Sequence, residues 1–340
     1  MSRTSVLREV KVEEAVGLAL AHDLTRIVPG EFKGRLFRKG HVIREEDISE
    51  LKRIGKEHIY VLELGEDDLH ENDAAIRMAR AACGSNVTTT EPSEGKVMLK
   101  SAIRGLARVD KSFVDELNGI EQLAMATLPT NTVVSPGQSL AGTRVIPLLV
   151  AKSKVEAVER AAERWRDAHM GEGPISVTPF RTLHAGVITT GSEVYNGLVE
   201  DKFGPVVRAK LEALGSSVAE QRFCKDDSGD IVREIDYFLA SGVDLILVTG
   251  GMSVDPDDRT PGAIKQAGAR IVSHGTPMLP GSMLLVAYLG DVPILGLPGS
   301  VMHDPFTVFD VLLPRLCAGI AIERSDITEL GYGGLFADRG

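Results

Sequence analysis

The chain has 340 residues, 43% hydrophobic and 25% charged; that composition excludes wholesale disorder, and at roughly 100–200 residues per domain it predicts two domains or three. Thirty-eight Lys and Arg against 48 Asp and Glu leave a net charge of −10, which argues against nucleic acid or an anionic membrane as a partner. Three scattered cysteines, Cys83, Cys224 and Cys317, form no CxxC pair and fit a reducing cytoplasm. No apolar run approaches the roughly 20 residues of a membrane helix, so the expectation is a soluble cytoplasmic protein.

In chain order, Val12–Leu20 reads as helical, Phe32–Val42 as short strands and turns, Ile48–Ile54 as a short helix and His58–Leu62 as a strand. Leu69–Cys83 and Val97–Leu123 are helical by period. Thr130–Val150 is strand-rich around the turn signal Ser135-Pro136-Gly137. Lys152–His169 is a charged helix, and Gly171–Pro174 is the best linker. The domains predicted are therefore 1–172, a mixed α/β module; 175–320, an α/β domain; and 321–340, a tail.

The second half alternates apolar runs with amphipathic stretches. Ala185–Thr190 is a strand ended by Gly191. A helix through Val206, Val207, Leu211 and Leu214 stops at Gly215. Ser217–Phe223 is a strand. The stripe Ile231, Ile235, Phe238, Leu239 is a helix, with Asp230 or Ser228 as cap. Val243–Thr249 is the continuous apolar run of a strand buried on both faces. Ile264 and Ala267 lie on a short helix. Met283–Leu289 and Val292–Leu297 flank the hairpin signal Gly290-Asp291, and Pro305–Leu316 is a helix. This alternation predicts an α/β sheet in three layers, mostly parallel, with one antiparallel hairpin.

Three glycine-containing loops follow strands, and ligands of open α/β sheets bind at the carboxyl ends of strands. In Thr189-Thr190-Gly191-Ser192-Glu193, glycine permits close approach, hydroxyls can bond phosphate, and Glu193 could touch a metal; an ordinary strand-ending turn is the alternative. In Thr249-Gly250-Gly251-Met252-Ser253, the glycine pair can open an anion nest. The acidic residues behind it, Asp255, Asp257 and Asp258, fit either a Mg²⁺ bridging to phosphate or an acidic first turn favoured by the helix dipole. In Gly296-Leu297-Pro298-Gly299-Ser300, a helix N-terminus can face an anion, or the segment is a plain strand-to-helix turn. There is no GxxxxGK[ST] and no GxGxxG. Together the loops describe a pocket for a ligand with acid groups.

The string Thr249, Gly250, Gly251, Ser253, Asp258 resembles the molybdopterin-binding domain of molybdenum cofactor biosynthesis. TGSE at Thr190–Glu193 resembles that domain's TGDE, and PGS at Pro298–Ser300 its PGN; Asp226-Asp227 also fits the pattern. Pro29–Leu64 is similar to the first segment of the molybdopterin molybdenumtransferases. The resemblance implies binding of molybdopterin or its adenylated form, and Mg²⁺-dependent insertion of molybdate with release of AMP, in a homodimer. It implies that Thr190, Gly191 and Ser192 approach the ligand and that Thr249, Gly250, Gly251 and Ser253 hold its acid groups. Pro298, Gly299 and Ser300 close the pocket, and Glu193 and Asp258 are the catalytic and metal-binding carboxylates.

Three departures stand against turnover. Ser192 replaces an Asp, Asp255 replaces a Gly, and Leu279-Pro280-Gly281-Ser282 lacks both lysines of the family's K-P-G-K loop. The stretch after the last predicted helix is shorter than the transferases' small C-terminal β domain. Two alternatives follow: a non-catalytic molybdopterin-binding or regulatory protein, and a nucleotide pyrophosphatase of the competence-damage-inducible type, whose TGG…DDxT loop Asp255-Pro256-Asp257-Asp258-Arg259-Thr260 resembles.

Overall fold

A computed structural model describes residues 6–28, 32–63, 66–252 and 259–336. The chain divides into two compact units, Met1–Thr178 and Pro179–Gly340.

In the first unit, Val6–Lys11 pairs antiparallel with His58–Glu63, and Leu24–Val28 with Phe32–Phe37. Val12, Leu20, Ile43, Leu51 and Ile59 form a small core under the helix Asp47–Arg53. The helix expected over Val12–Leu20 is a single 3-10 turn, Val12–Glu14, followed by turns and isolated bridges. Gly17, at φ 84°, ends helical progress there.

Further on, the helices Glu71–Ala82 and Lys152–Ala168 lie with a four-stranded antiparallel sheet around one core. Buried alanines 74, 75, 79 and 82 belong to that core, and Arg77 grips Glu159 of the other helix through two hydrogen bonds of 2.8 and 2.6 Å. The helix expected over Val97–Leu123 is instead the strands Lys96–Ser101 and Gly105–Val109, the helix Lys111–Asn118 and the start of the strand Leu123–Thr127. Burial in Lys96–Ser101 alternates with period two, which is strand geometry. His70 is fully buried. Its Nδ1 accepts from the Asn72 amide at 3.1 Å and its Nε2 meets the Ala21 carbonyl at 2.5 Å. Burial, then the Lys39 charge, lowers its pKa to about 4.

The second unit is built on one six-stranded sheet. Its strands are β1 (His184–Thr190), β2 (Ser217–Cys224), β3 (Leu245–Thr249), β4 (Arg270–His274), β5 (Leu285–Leu289) and β6 (Val292–Leu297). The spatial order is β2-β1-β3-β6-β5-β4. Pairs β1–β2, β1–β3 and β3–β6 are parallel, while β5 is antiparallel to both neighbours. The fold is thus α/β with a mixed sheet, and the Gly290-Asp291 hairpin joins β5 to β6 as the sequence predicts. β4 goes beyond the prediction, which leaves His274 in a loop. It is an edge strand with charged, exposed ends, so its burial pattern is faint.

Four main helices cover the sheet: α1 (Phe203–Glu212), α2 (Ser228–Ala240), α3 (Thr260–Gln266) and α4 (Val308–Cys317). One apolar layer joins α1 and α4 to Val187, Leu245, Leu247 and Leu295; the opposite layer joins α2 and α3 to Ile188, Ile246, Val248 and Ile294. Strand residues alternate between the layers, so β3 is apolar throughout. The cap of α2 is Asp227 rather than Asp230 or Ser228; its carboxylate accepts from the Gly229 and Asp230 amides. At α4, Thr307 and Asp310 form a capping box, and the helix starts after the predicted Pro305. The segment after Ile320 carries a further helix, Arg324–Glu329.

Candidate functional site

From β1 the chain moves outward to β2 and then returns past β1 to β3. The sheet therefore reverses its winding between β1 and β3, where their following loops diverge and leave a crevice. Thr189 is in register with Thr249, and Thr249 with Leu297. The three predicted loops thus leave the sheet side by side at one level.

Glycine is required where they meet. Gly250 has φ 89°, and a Cβ there would stand 2.7 Å from both the carbonyl oxygen and Oγ1 of Thr190. Gly251 has φ 57°, and its Cβ would stand 2.9 Å from Thr260 Oγ1. Thr260 Oγ1 donates to the Gly250 carbonyl at 2.9 Å, tying the start of α3 to the loop. The Ser192 amide donates to Asp226 at 3.2 Å across from β2. Asp226 is absent from the candidate site set, although the sequence places it just beyond the strand that flanks β1. Parallel pairing of Thr190 with Cys224 brings it to this loop.

A cavity of about 570 Å³ opens beside these loops. Gly250, Gly251, Pro298, Gly299 and Ser300 line it, as does the loop Leu279–Met283. The apolar side chains Phe203, Met252, Met283 and Leu297 complete the lining; Met252 and Leu297 lie within two of the predicted loops without being singled out, and Phe203 and Met283 lie outside all three. Thr190, Gly191, Ser192, Glu193 and Thr249 are not in the lining; Thr190 touches it through Gly250. Among the described residues no charged side chain lines the cavity. Polar contacts to a ligand would come from hydroxyls and backbone N–H groups.

One such hydroxyl, that of Ser300, belongs to the lining, and a second, that of Thr190, lies behind Gly250 beside it. Thr190 Oγ1 and Ser300 Oγ are buried and have no hydrogen-bond partner among the described residues. A buried, unsatisfied hydroxyl costs about 1–3 kcal/mol, a cost a hydrogen-bonding ligand would relieve. Together with two positive-φ glycines, this donor set fits an acid-bearing ligand of small-cofactor size.

The two predicted metal-binding carboxylates stand differently. Glu193 is exposed on the short helix Ser192–Tyr195. Asp258, Asp255, Asp257 and Ser253 lie outside the described residues. Among the described residues no group of three His, Cys, Asp or Glu side chains could hold a metal ion. Cys224 is buried, and burial, then the charges of Glu234, Asp230 and Asp226, push its thiol up to about 12, away from the reactive thiolate. His303 is exposed at the end of the short helix Ser300–His303, and Asp304 is that helix's C-cap rather than the cap of α4.

Comparison with known proteins gives two family matches. Residues 186–318 match the model described as "probable molybdopterin binding domain", and residues 9–63 match a domain of unknown function, DUF8806. Residues 186–318 thus match a molybdopterin-binding-type domain, and the separate match at the N-terminus is confined to residues 9–63. A CinA-like protein of Mycobacterium sp. (strain JLS) is 39% identical over 79 residues, 23% of this chain and 19% of the relative. The chain thus spans about a fifth of that curated relative. The molybdopterin biosynthesis enzyme MoaB from Thermus thermophilus is 23% identical over 40% of this chain and 92% of its own, with TM-score 0.34. CinA from Thermoplasma acidophilum, titled as of unknown function, is 19% identical over 35% of this chain and 89% of its own, with TM-score 0.30. The fold assignment rests on the strand order, not on these two likenesses. No described helix is long and apolar enough to cross a membrane.

Proposed function

We propose that residues 179–340 bind molybdopterin, free or adenylated, at the crevice between β1, β3 and β6, and serve molybdenum cofactor biosynthesis. The observation that supports it best is a cavity lined by the glycine loops after β3 and β6, with no charged side chain among its described lining residues and with the buried hydroxyls of Ser300 in the lining and Thr190 beside it. In this reading Thr190 and Ser300 donate to the ligand's acid or pterin oxygens. Gly250 and Gly251 turn their amides toward phosphate, and Gly299 leaves room for it. The apolar side chains Phe203, Met252 and Leu297 offer a surface to the ligand's ring system. The reaction to test is molybdate insertion with AMP release. Mg²⁺, held by Glu193 and Asp258, would supply neutralising charge to the phosphates. The lining by Leu279 and Ser282, where the transferases resembled carry lysines, favours binding over fast turnover.

A second reading, hydrolysis of a nucleotide pyrophosphate, is favoured by the match to CinA-like proteins. One assay separates them: AMP release from adenylated molybdopterin with Mg²⁺, with and without molybdate, beside Asp258→Ala. Release that requires molybdate and is lost in the variant supports insertion. Molybdate-independent release supports hydrolysis. Tight binding without release leaves a binding protein, and absence of both binding and release refutes the proposal.

A further inference from the structure

The loop Leu279–Ser282 forms one wall of the cavity, yet it is poorly anchored by burial: Leu279 is 51% exposed. Its far end is tied locally, the Thr276 amide donating to the Ser282 carbonyl at 2.8 Å and the Leu284 amide to the Gly281 carbonyl at 3.1 Å; what holds its near end, Leu279, is the segment 331–336. The Leu279 amide donates to the Gly334 carbonyl at 2.9 Å, and the Phe336 amide donates to the Leu279 carbonyl at 2.8 Å. Both backbone polar groups of Leu279 are thus taken by this one segment, as a parallel bridge between Leu279 and Leu335. The segment is itself pinned at two points. Phe336 packs on Phe306, ring centroids 5.1 Å apart. Gly334 is packed so tightly that a Cβ would collide with the Leu330 carbonyl and stand 2.8 Å from the carbonyl of Pro277, two residues before Leu279. On the loop's other side, the Val308 amide at the start of α4 reaches the Pro280 carbonyl at 3.3 Å.

We infer that residues 331–336 are a strap that positions the Leu279–Ser282 wall, so that ligand affinity depends on a segment that does not line the cavity. The inference rests on the proposed ligand pocket and assigns Gly334 and Phe336 as positioning residues. Loss of the strap removes both hydrogen bonds of Leu279. Binding should then weaken roughly tenfold, because the wall must be re-formed around the ligand.

The test uses the full chain with Gly334→Val, Phe336→Ala and Phe336→Leu. Molybdopterin affinity is measured by titration, and amide hydrogen exchange is followed in the peptide covering 279–284 and in β3. The expected result is about tenfold weaker binding for Gly334→Val and Phe336→Ala, with recovery in Phe336→Leu. Exchange would accelerate about tenfold in 279–284 and stay unchanged in β3. Unchanged affinity and unchanged exchange in 279–284 would overturn the strap. Acceleration equal in β3 would show general destabilisation and overturn it as well. If the unaltered chain fails to bind molybdopterin, the pocket reading fails, and the exchange arm alone decides whether the segment holds the wall.

Discussion

Gly250→Ala tests whether the loops after β1 and β3 meet as described. The new methyl group would stand 2.7 Å from the carbonyl oxygen and from Oγ1 of Thr190. Contacts under 3.0 Å are not accommodated by real Cβ atoms, and the first obstacle is backbone, which cannot rotate away. A φ of 89° adds strain for any residue with a Cβ. Strain of about 1–3 kcal/mol and overpacking of similar size give a loss of roughly 2–5 kcal/mol. For a unit of this size that is a drop of roughly 5–15 °C in the midpoint of its thermal transition. Calorimetry of the full chain reads it. Gly299→Ala is the control, because Gly299 has helical φ of −55° and no atom within 4 Å of the added Cβ. It should be neutral or stabilising by up to about 1 kcal/mol. Equal stability of the two variants would refute the loop junction.

Three further outcomes are expected. Thr190→Val removes a buried, unpartnered hydroxyl while keeping its shape; stability should hold or rise by about 1 kcal/mol in denaturant titration while molybdopterin affinity falls. Asp310→Ala breaks the Thr307 capping box and the 2.5 Å ion pair with Lys210, both largely buried; guanidinium unfolding should show a loss of about 2 kcal/mol. His70 is neutral in the folded chain, with its pKa lowered from 6.5 to about 4. Its contribution is therefore full above pH 6.5 and is lost as pH falls toward 4, by about 3 kcal/mol in all. His70→Asn should flatten that slope, read by Trp165, the single tryptophan; an unchanged slope would remove His70 from the account.

The sheet of the second unit was legible because β1, β3 and β6 are buried on both faces and end at glycine or proline, so apolar run and stop signal coincide. The same logic fails in Val97–Leu123. There Val97 and Leu99, Leu106, Phe113 and Leu117 are all buried, and their spacing satisfies a helical stripe although two strands and a helix supply them. Val12–Leu20 misleads likewise, since its apolar residues serve a core of bridges and turns. For the site, glycine placement found the loops. Asp226 required knowing that β2 pairs parallel with β1, a contact 34 residues away in sequence. The strap over Leu279 has no sequence signal beyond the glycines near Gly334, because its hydrogen bonds are all backbone.

The central claim is that the cavity at the β1–β3–β6 edge holds molybdopterin. Gly299→Leu tests it most directly: Gly299 lines the cavity, its helical backbone accepts a side chain, and nothing stands where the Cβ would go. Molybdopterin should bind the unaltered chain saturably at one site per chain, and binding should weaken at least about tenfold in Gly299→Leu, about 1.4 kcal/mol, with the thermal midpoint unchanged. No saturable binding, or equal binding by the two proteins, would contradict the account.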